Sequence, residues 1–101
     1  MNTQTIIGLE DYSISELELC ICNHIATLKE NFIFEGLDFS IIKIVFFGSR
    51  IFGKPKKNSD LDIKIEYIGK AREDDLFNAL NDKKYRLYIE DIAVDFYPKR
   101  L

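Results

Sequence analysis

Residues 60–67, Asp-Leu-Asp-Ile-Lys-Ile-Glu-Tyr, alternate between charged and apolar side chains without a break. Successive side chains of a β-strand point to opposite faces, so this segment reads as a strand with Leu61, Ile63 and Ile65 on one face and Asp60, Asp62, Lys64 and Glu66 on the other. A strand of this kind belongs to a sheet with one covered face and one open face. The cover has to come from helices.

The sequence offers two. Ser13 followed by Glu16 has the spacing of a capping box, and Ile14, Leu17, Ile21, Ile25, Leu28 and Phe32 then recur at intervals of three and four. This predicts an amphipathic helix that Gly36 ends. After Gly69, the segment "AREDDLFNALND" predicts a second helix carrying Leu76, Phe77 and Leu80. Between them, "SIIKIVFF" is a β-branched and aromatic run that reads as a strand buried on both faces. Gly48 breaks it, and Gly53 and Pro55 discourage a long helix in the loop that follows, although Ser49 could cap a single turn. The end of the chain is β-rich. Val94 and Phe96 alternate with Asp95, and Pro98 is expected to stop the strand. The order helix, strand, strand, helix, strand or hairpin predicts an α+β fold of two layers, a small mixed sheet with helices on one face.

The chain has 101 residues, and no repeat, linker or low-complexity tract divides it, so residues 1–101 are expected to form a single domain. It holds no apolar run long enough to span a membrane and no basic-flanked apolar leader, and a cytoplasmic location is expected. A net charge of −3 argues against nucleic acid as a direct ligand. Cys20 and Cys22 fall on different faces of the first helix and are expected to be buried thiols rather than a redox or metal pair. His24, beside the apolar stripe, is expected to be packed or solvated. With eight Phe and five Tyr, the chain has enough aromatic surface for an oligomer interface.

The open face carries the chemistry. Carboxylates two apart on a strand lie on one side of it, about 6–7 Å apart along the chain, within reach of one hard cation or a pair. Asp95 on a neighbouring strand would complete a two-metal site, with Glu90 and Asp91 nearby as rivals for that position. Upstream, Gly48 lets the backbone approach a phosphate, and Ser49 adds a hydroxyl beside free N–H groups. Arg50 is the favoured functional cation. Lys54, Lys56 and Lys57 are secondary ones that could neutralise a polyphosphate tail.

The stretch "GSRIFGKPKKNSDLDIKI" resembles the signature of the minimal nucleotidyltransferases, the smallest members of the DNA polymerase beta-like superfamily. Its elements are Gly48, Ser49, Arg50, Gly53, Ser59, Asp60, Asp62 and Ile63, with Asp95 in "IAVDFY" matching the third carboxylate. The resemblance spans residues 41–97. It implies the polymerase beta-like nucleotidyltransferase fold, two Mg²⁺ ions, and ATP or another NTP whose NMP passes to a hydroxyl with release of pyrophosphate. Asp60 and Asp62 would hold both ions, and Asp95 would hold one and help activate the acceptor. Gly48, Ser49, Arg50 and Ser59 would serve the phosphates. Many members of this size are antitoxins paired with a helical HEPN-domain toxin, some of which they silence by attaching AMP to a tyrosine. A protein acceptor and a HEPN-domain partner are therefore expected. The alternative is an inactive binding module of the same fold that neutralises a partner by direct complex formation.

Overall fold

In the computed structural model of the chain, which describes residues 5–31, 33–53 and 59–101 and Phe52 through its backbone alone, Ser13 opens the first helix, α1 (Ile14–Glu30). Its hydroxyl accepts from Glu16 N at 3.1 Å while Ser13 N donates to the Glu16 carboxylate at 3.0 Å, a complete capping box. Leu17, Ile21, Ile25 and Leu28 are buried along the stripe, and Phe32 lies outside the described residues. The helix stops at Asn31 rather than Gly36. Both the backbone N and the side-chain Nδ2 of Asn31 donate to Thr27 O, and Ile33 N then bonds Leu28 O, so the chain has turned away before Gly36 is reached. Cys20 and Cys22 are both exposed, which corrects the expectation of buried thiols. The stripe faces the sheet, and both cysteines fall beside it. His24 is half-buried and stacks on Phe96 with ring centroids 6.2 Å apart, and its burial holds the imidazole below its usual pKa.

The remaining elements are β1 (Ser40–Phe47), α2 (Ser49–Phe52), β2 (Leu61–Ile68), α3 (Glu73–Leu80), a 3-10 turn at Lys83–Tyr85, β3 (Tyr88–Ile89) and β4 (Ile92–Arg100). The strands form one sheet in the order β1-β2-β4-β3. β1 and β2 are antiparallel, β2 and β4 are parallel, and β3 folds back on β4 as a hairpin. Parallel neighbours require a crossover, and α3 lies on it. The hairpin turns through Glu90 and Asp91, both with positive φ (50° and 68°), as a two-residue primed turn demands.

The alternation read from residues 60–67 holds. Leu61, Ile63, Ile65 and Tyr67 are buried, and they join Val94 and Phe96 of β4 beneath Leu17, Ile21, Ile25, Leu76 and Leu80 of the helices. Phe77, by contrast, is exposed and leans on Tyr97 at 6.2 Å. No helix among the described residues is long and apolar enough to cross a membrane.

Two strand expectations change. Among the described residues β1 is an edge strand, paired to β2 alone, with Ser40, Ile42 and Lys43 exposed. Ile44 and Phe46 stand opposite Ile65 and Ile63 on the core side, and a register shift between Ile41 and Lys43 leaves Ile42 out of the ladder. Pro98 does not stop β4, which continues to Arg100. β3 pairs only with Ile92 and Ala93, so past that point β4 has one edge unpaired among the described residues, where a residue without an N–H is tolerated.

Ile63→Ala should cost about 2–5 kcal/mol, since it opens a cavity at the centre of β2. Ile42→Ala should change stability by no more than about 0.5 kcal/mol. Urea denaturation midpoints of the two variants check the contrast between core and edge.

Candidate active site

The register of the sheet assembles the acidic row. Phe47 of β1 stands opposite Asp62 of β2, and Asp62 stands opposite Asp95 of β4. Asp60 immediately precedes β2, and one guanidinium nitrogen reaches both its carboxylate and that of Asp95. All three aspartates are partly buried. The rivals for the third position lie elsewhere: Glu90 and Asp91 form the hairpin turn, and Glu90 accepts a hydrogen bond from the Tyr12 hydroxyl at 2.6 Å.

Gly48 sits against this row. Its φ of +90° lies in the region that side chains avoid, and a Cβ placed there would fall 2.5 Å from Asp62 Oδ2. Glycine is therefore required for the chain to leave β1 past the Asp62 carboxylate and enter α2. Gly48 is also the residue that precedes the helix, so Ser49 is its first helical residue rather than its cap, and it is exposed.

Arg50 is buried among backbone carbonyls. It is only 6% exposed, with Nε and Nη2 donating to Ser59 O at 3.0 and 2.6 Å and Nη1 donating to Ile7 O at 2.7 Å. Ile7 N bonds the Arg50 carbonyl in return at 3.0 Å. The guanidinium thus clasps the N-terminal segment to the residue before Asp60. Ser59 contributes its carbonyl to the clasp. Lys54, Lys56 and Lys57 lie outside the described residues.

Among the described residues the cation on Asp60 and Asp95 is Arg86, which the sequence reading missed. Its Nη2 pairs with Asp95 Oδ1 and reaches Asp60 Oδ2 at 3.3 Å. The hairpin puts it there. Tyr88 faces Ala93 and Ile89 faces Ile92, so the same register carried outward, with Val94 N bonded to Leu87 O, brings Arg86 beside Asp95. Recognising that turn in the sequence would have found Arg86.

Burial and, after it, like charges govern the titration. Burial first, then the hydrogen bond and charge of Asp60, push the Asp95 carboxyl up to about 6, and the Arg86 charge opposes this only in part. Burial and the Asp60 charge also raise Asp62. Among the described residues, no group of three or more His, Cys, Asp or Glu side chains is disposed around a common metal position. Yet the donors are right in kind for a hard cation, being carboxylate oxygens crowded on one face, and a cationic nitrogen already bridges two of them. Beside the row, Tyr97 stacks edge-on with Phe47 at 5.4 Å, an aromatic flank two residues beyond Asp95.

Residues 21–100 match the family model described as "Nucleotidyltransferase domain". No curated protein and no solved structure matches the chain.

Arg50→Gln should destabilise the protein by about 2–4 kcal/mol, because it leaves buried carbonyls without their charged donor; urea unfolding measures it. The raised Asp95 carboxyl binds its proton more tightly in the folded than in the unfolded chain. Its stabilising contribution is therefore complete below its unfolded value of 3.8 and is lost as pH rises through about 6. In chelator, thermal melts should show Asp95→Asn gaining on wild type across that window. A constant difference between the two would contradict the assignment.

Proposed function

Since this chain belongs to the nucleotidyltransferase domain family, we propose that it transfers a nucleoside monophosphate, AMP from ATP, to a hydroxyl of a protein acceptor with the help of Mg²⁺. The observation that carries this reading is the pairing of Asp62 with Asp95 across parallel strands, with Asp60 at the head of the row. Three carboxylates on one open face have little structural use on their own. Their mutual repulsion is relieved by bound cations.

In this reading Asp60 and Asp62 hold two Mg²⁺ ions and Asp95 shares one of them. When bound, the ions supply charge neutralisation for the triphosphate and polarise the attacking and leaving oxygens. Asp95, on the strand beside Asp62, is placed to accept the proton of the acceptor hydroxyl. The hydroxyl oxygen then forms a bond to the α-phosphorus, the α–β bridging bond breaks, and pyrophosphate leaves with that electron pair. Ser49, exposed at the start of α2, is suited to hold the outer phosphates with the adjacent backbone N–H groups. Arg50 supports the site from below through its clasp on Ser59.

The resemblance to antitoxin-type minimal nucleotidyltransferases supports a HEPN-domain toxin as the acceptor. One observation favours a second reading, in which the fold neutralises that toxin by binding alone: Arg86 already occupies two of the three carboxylates.

Incubation with labelled ATP, Mg²⁺ and a HEPN-domain toxin encoded beside the chain separates the two. Wild type should label the toxin, Asp95→Asn should label it about 10²–10⁴-fold more slowly, and Asp60→Asn/Asp62→Asn should not label it. Labelling that is equal in wild type and double variant, or absent from both while a tight complex forms, would overturn transfer.

A further inference from the structure

The two arginines at this site are held in opposite ways. Arg50 is saturated, with every nitrogen of its fork donating to a backbone carbonyl. Arg86 is not. Among the described residues a single nitrogen, Nη2, serves both Asp95 and Asp60, and Nε is buried with no hydrogen-bond partner. A guanidinium that belonged permanently to a carboxylate would normally use its fork in paired fashion. Arg86 instead places one corner between two acids, while its side chain keeps 23% of its surface open to solvent.

Its placement is nonetheless fixed. The 3-10 turn at Lys83–Tyr85 delivers the chain to the hairpin, and the Val94–Leu87 hydrogen bond at 3.0 Å sets Arg86 level with Asp95. The backbone holds the base of the side chain while the head is poorly satisfied. That is how a displaceable charge is built. A monovalent head on two carboxylates also stands where a divalent ion shared by the same carboxylates would have to stand, and the two cannot coexist there.

Resting on the reading that Asp60, Asp62 and Asp95 receive divalent cations, we infer that Arg86 is the resident counter-ion of the acidic row: it holds Asp60 and Asp95 together in the metal-free protein and yields its place when the cation binds. Arg86 is then a positioning residue that stabilises the metal-free row and competes with the metal. The competition lowers the apparent metal affinity by the fraction of molecules in which Arg86 is seated.

Mn²⁺ binding to the whole chain, read by the electron paramagnetic resonance signal of free Mn²⁺, tests this without any turnover. Arg86→Gln should bind Mn²⁺ about tenfold more tightly than wild type. Lys84→Gln, which removes a nearby exposed charge that does not touch the row, should bind as wild type does. In chelator Arg86→Gln should melt below wild type, and saturating Mn²⁺ should close that gap because the ion supplies the missing charge. Equal or weaker Mn²⁺ binding by Arg86→Gln, an equal gain in Lys84→Gln, or a melting gap that persists with Mn²⁺ would each overturn the inference. If Arg86→Gln does not fold, Arg86→Lys replaces it, with a smaller gain in affinity expected and no gain counting against the inference. Asp60→Asn/Asp62→Asn serves as the reference for the underlying reading. If it binds Mn²⁺ as wild type does, that reading fails. If it loses binding while the Arg86 variants show no gain, only the counter-ion role fails.

Discussion

Asp62 and Asp95 stand side by side because β2 and β4 run parallel with those residues as partners. Adjacent strands lie about 4.8 Å apart, so this register forces two carboxylates into close company, with Asp60 just beyond. The core beneath holds the register. Leu61 and Ile63 on one strand, and Val94 and Phe96 on the other, are fully buried on the opposite face. A slip of one residue would drive the aspartates into the core and the apolar side chains into water. Burial on one face thus sustains electrostatic conflict on the other, and Arg86 moderates the conflict.

The surroundings follow from protecting that row. Gly48 has no side chain because one would strike Asp62, and its conformation sends the chain directly into α2. The Arg50 clasp fixes the residue that leads into Asp60 and ties the N-terminal segment to the same point. Tyr97 and Phe47 flank the row with aromatic surface, and burial and the nearby carboxylates raise the Tyr97 hydroxyl above its usual pKa. Gly48, Arg50 and Ser59 serve here as architecture for the acids.

Much of this was legible in the sequence wherever a local pattern maps onto a local structure. The alternation at residues 60–67 and the Ser13–Glu16 cap are of that kind, since each depends on a few adjacent residues. What escaped was set by distant contacts. An apolar run such as residues 41–47 records strand propensity but not whether a neighbour lies on each side, so β1 could not be recognised as an edge. The exposed cysteines and the strand that runs through Pro98 share that cause. For the two arginines, sequence shows charge but not burial. Arg50 carried the motif and went to backbone carbonyls. Arg86 carried no motif, and the turn that places it uses Glu90 and Asp91 at positive φ without the glycine that marks such turns.

The central claim is that the acidic row is a divalent-cation site for nucleotidyl transfer. A crystal structure of the protein soaked with Mn²⁺ and a non-hydrolysable ATP analogue, with anomalous scattering to locate the metal, tests it most directly. The account predicts Mn²⁺ held by Asp60, Asp62 and Asp95, with the analogue's phosphates on the metal and Arg86 withdrawn from Asp95. Manganese and nucleotide bound elsewhere, with Arg86 still seated between Asp60 and Asp95, would contradict it.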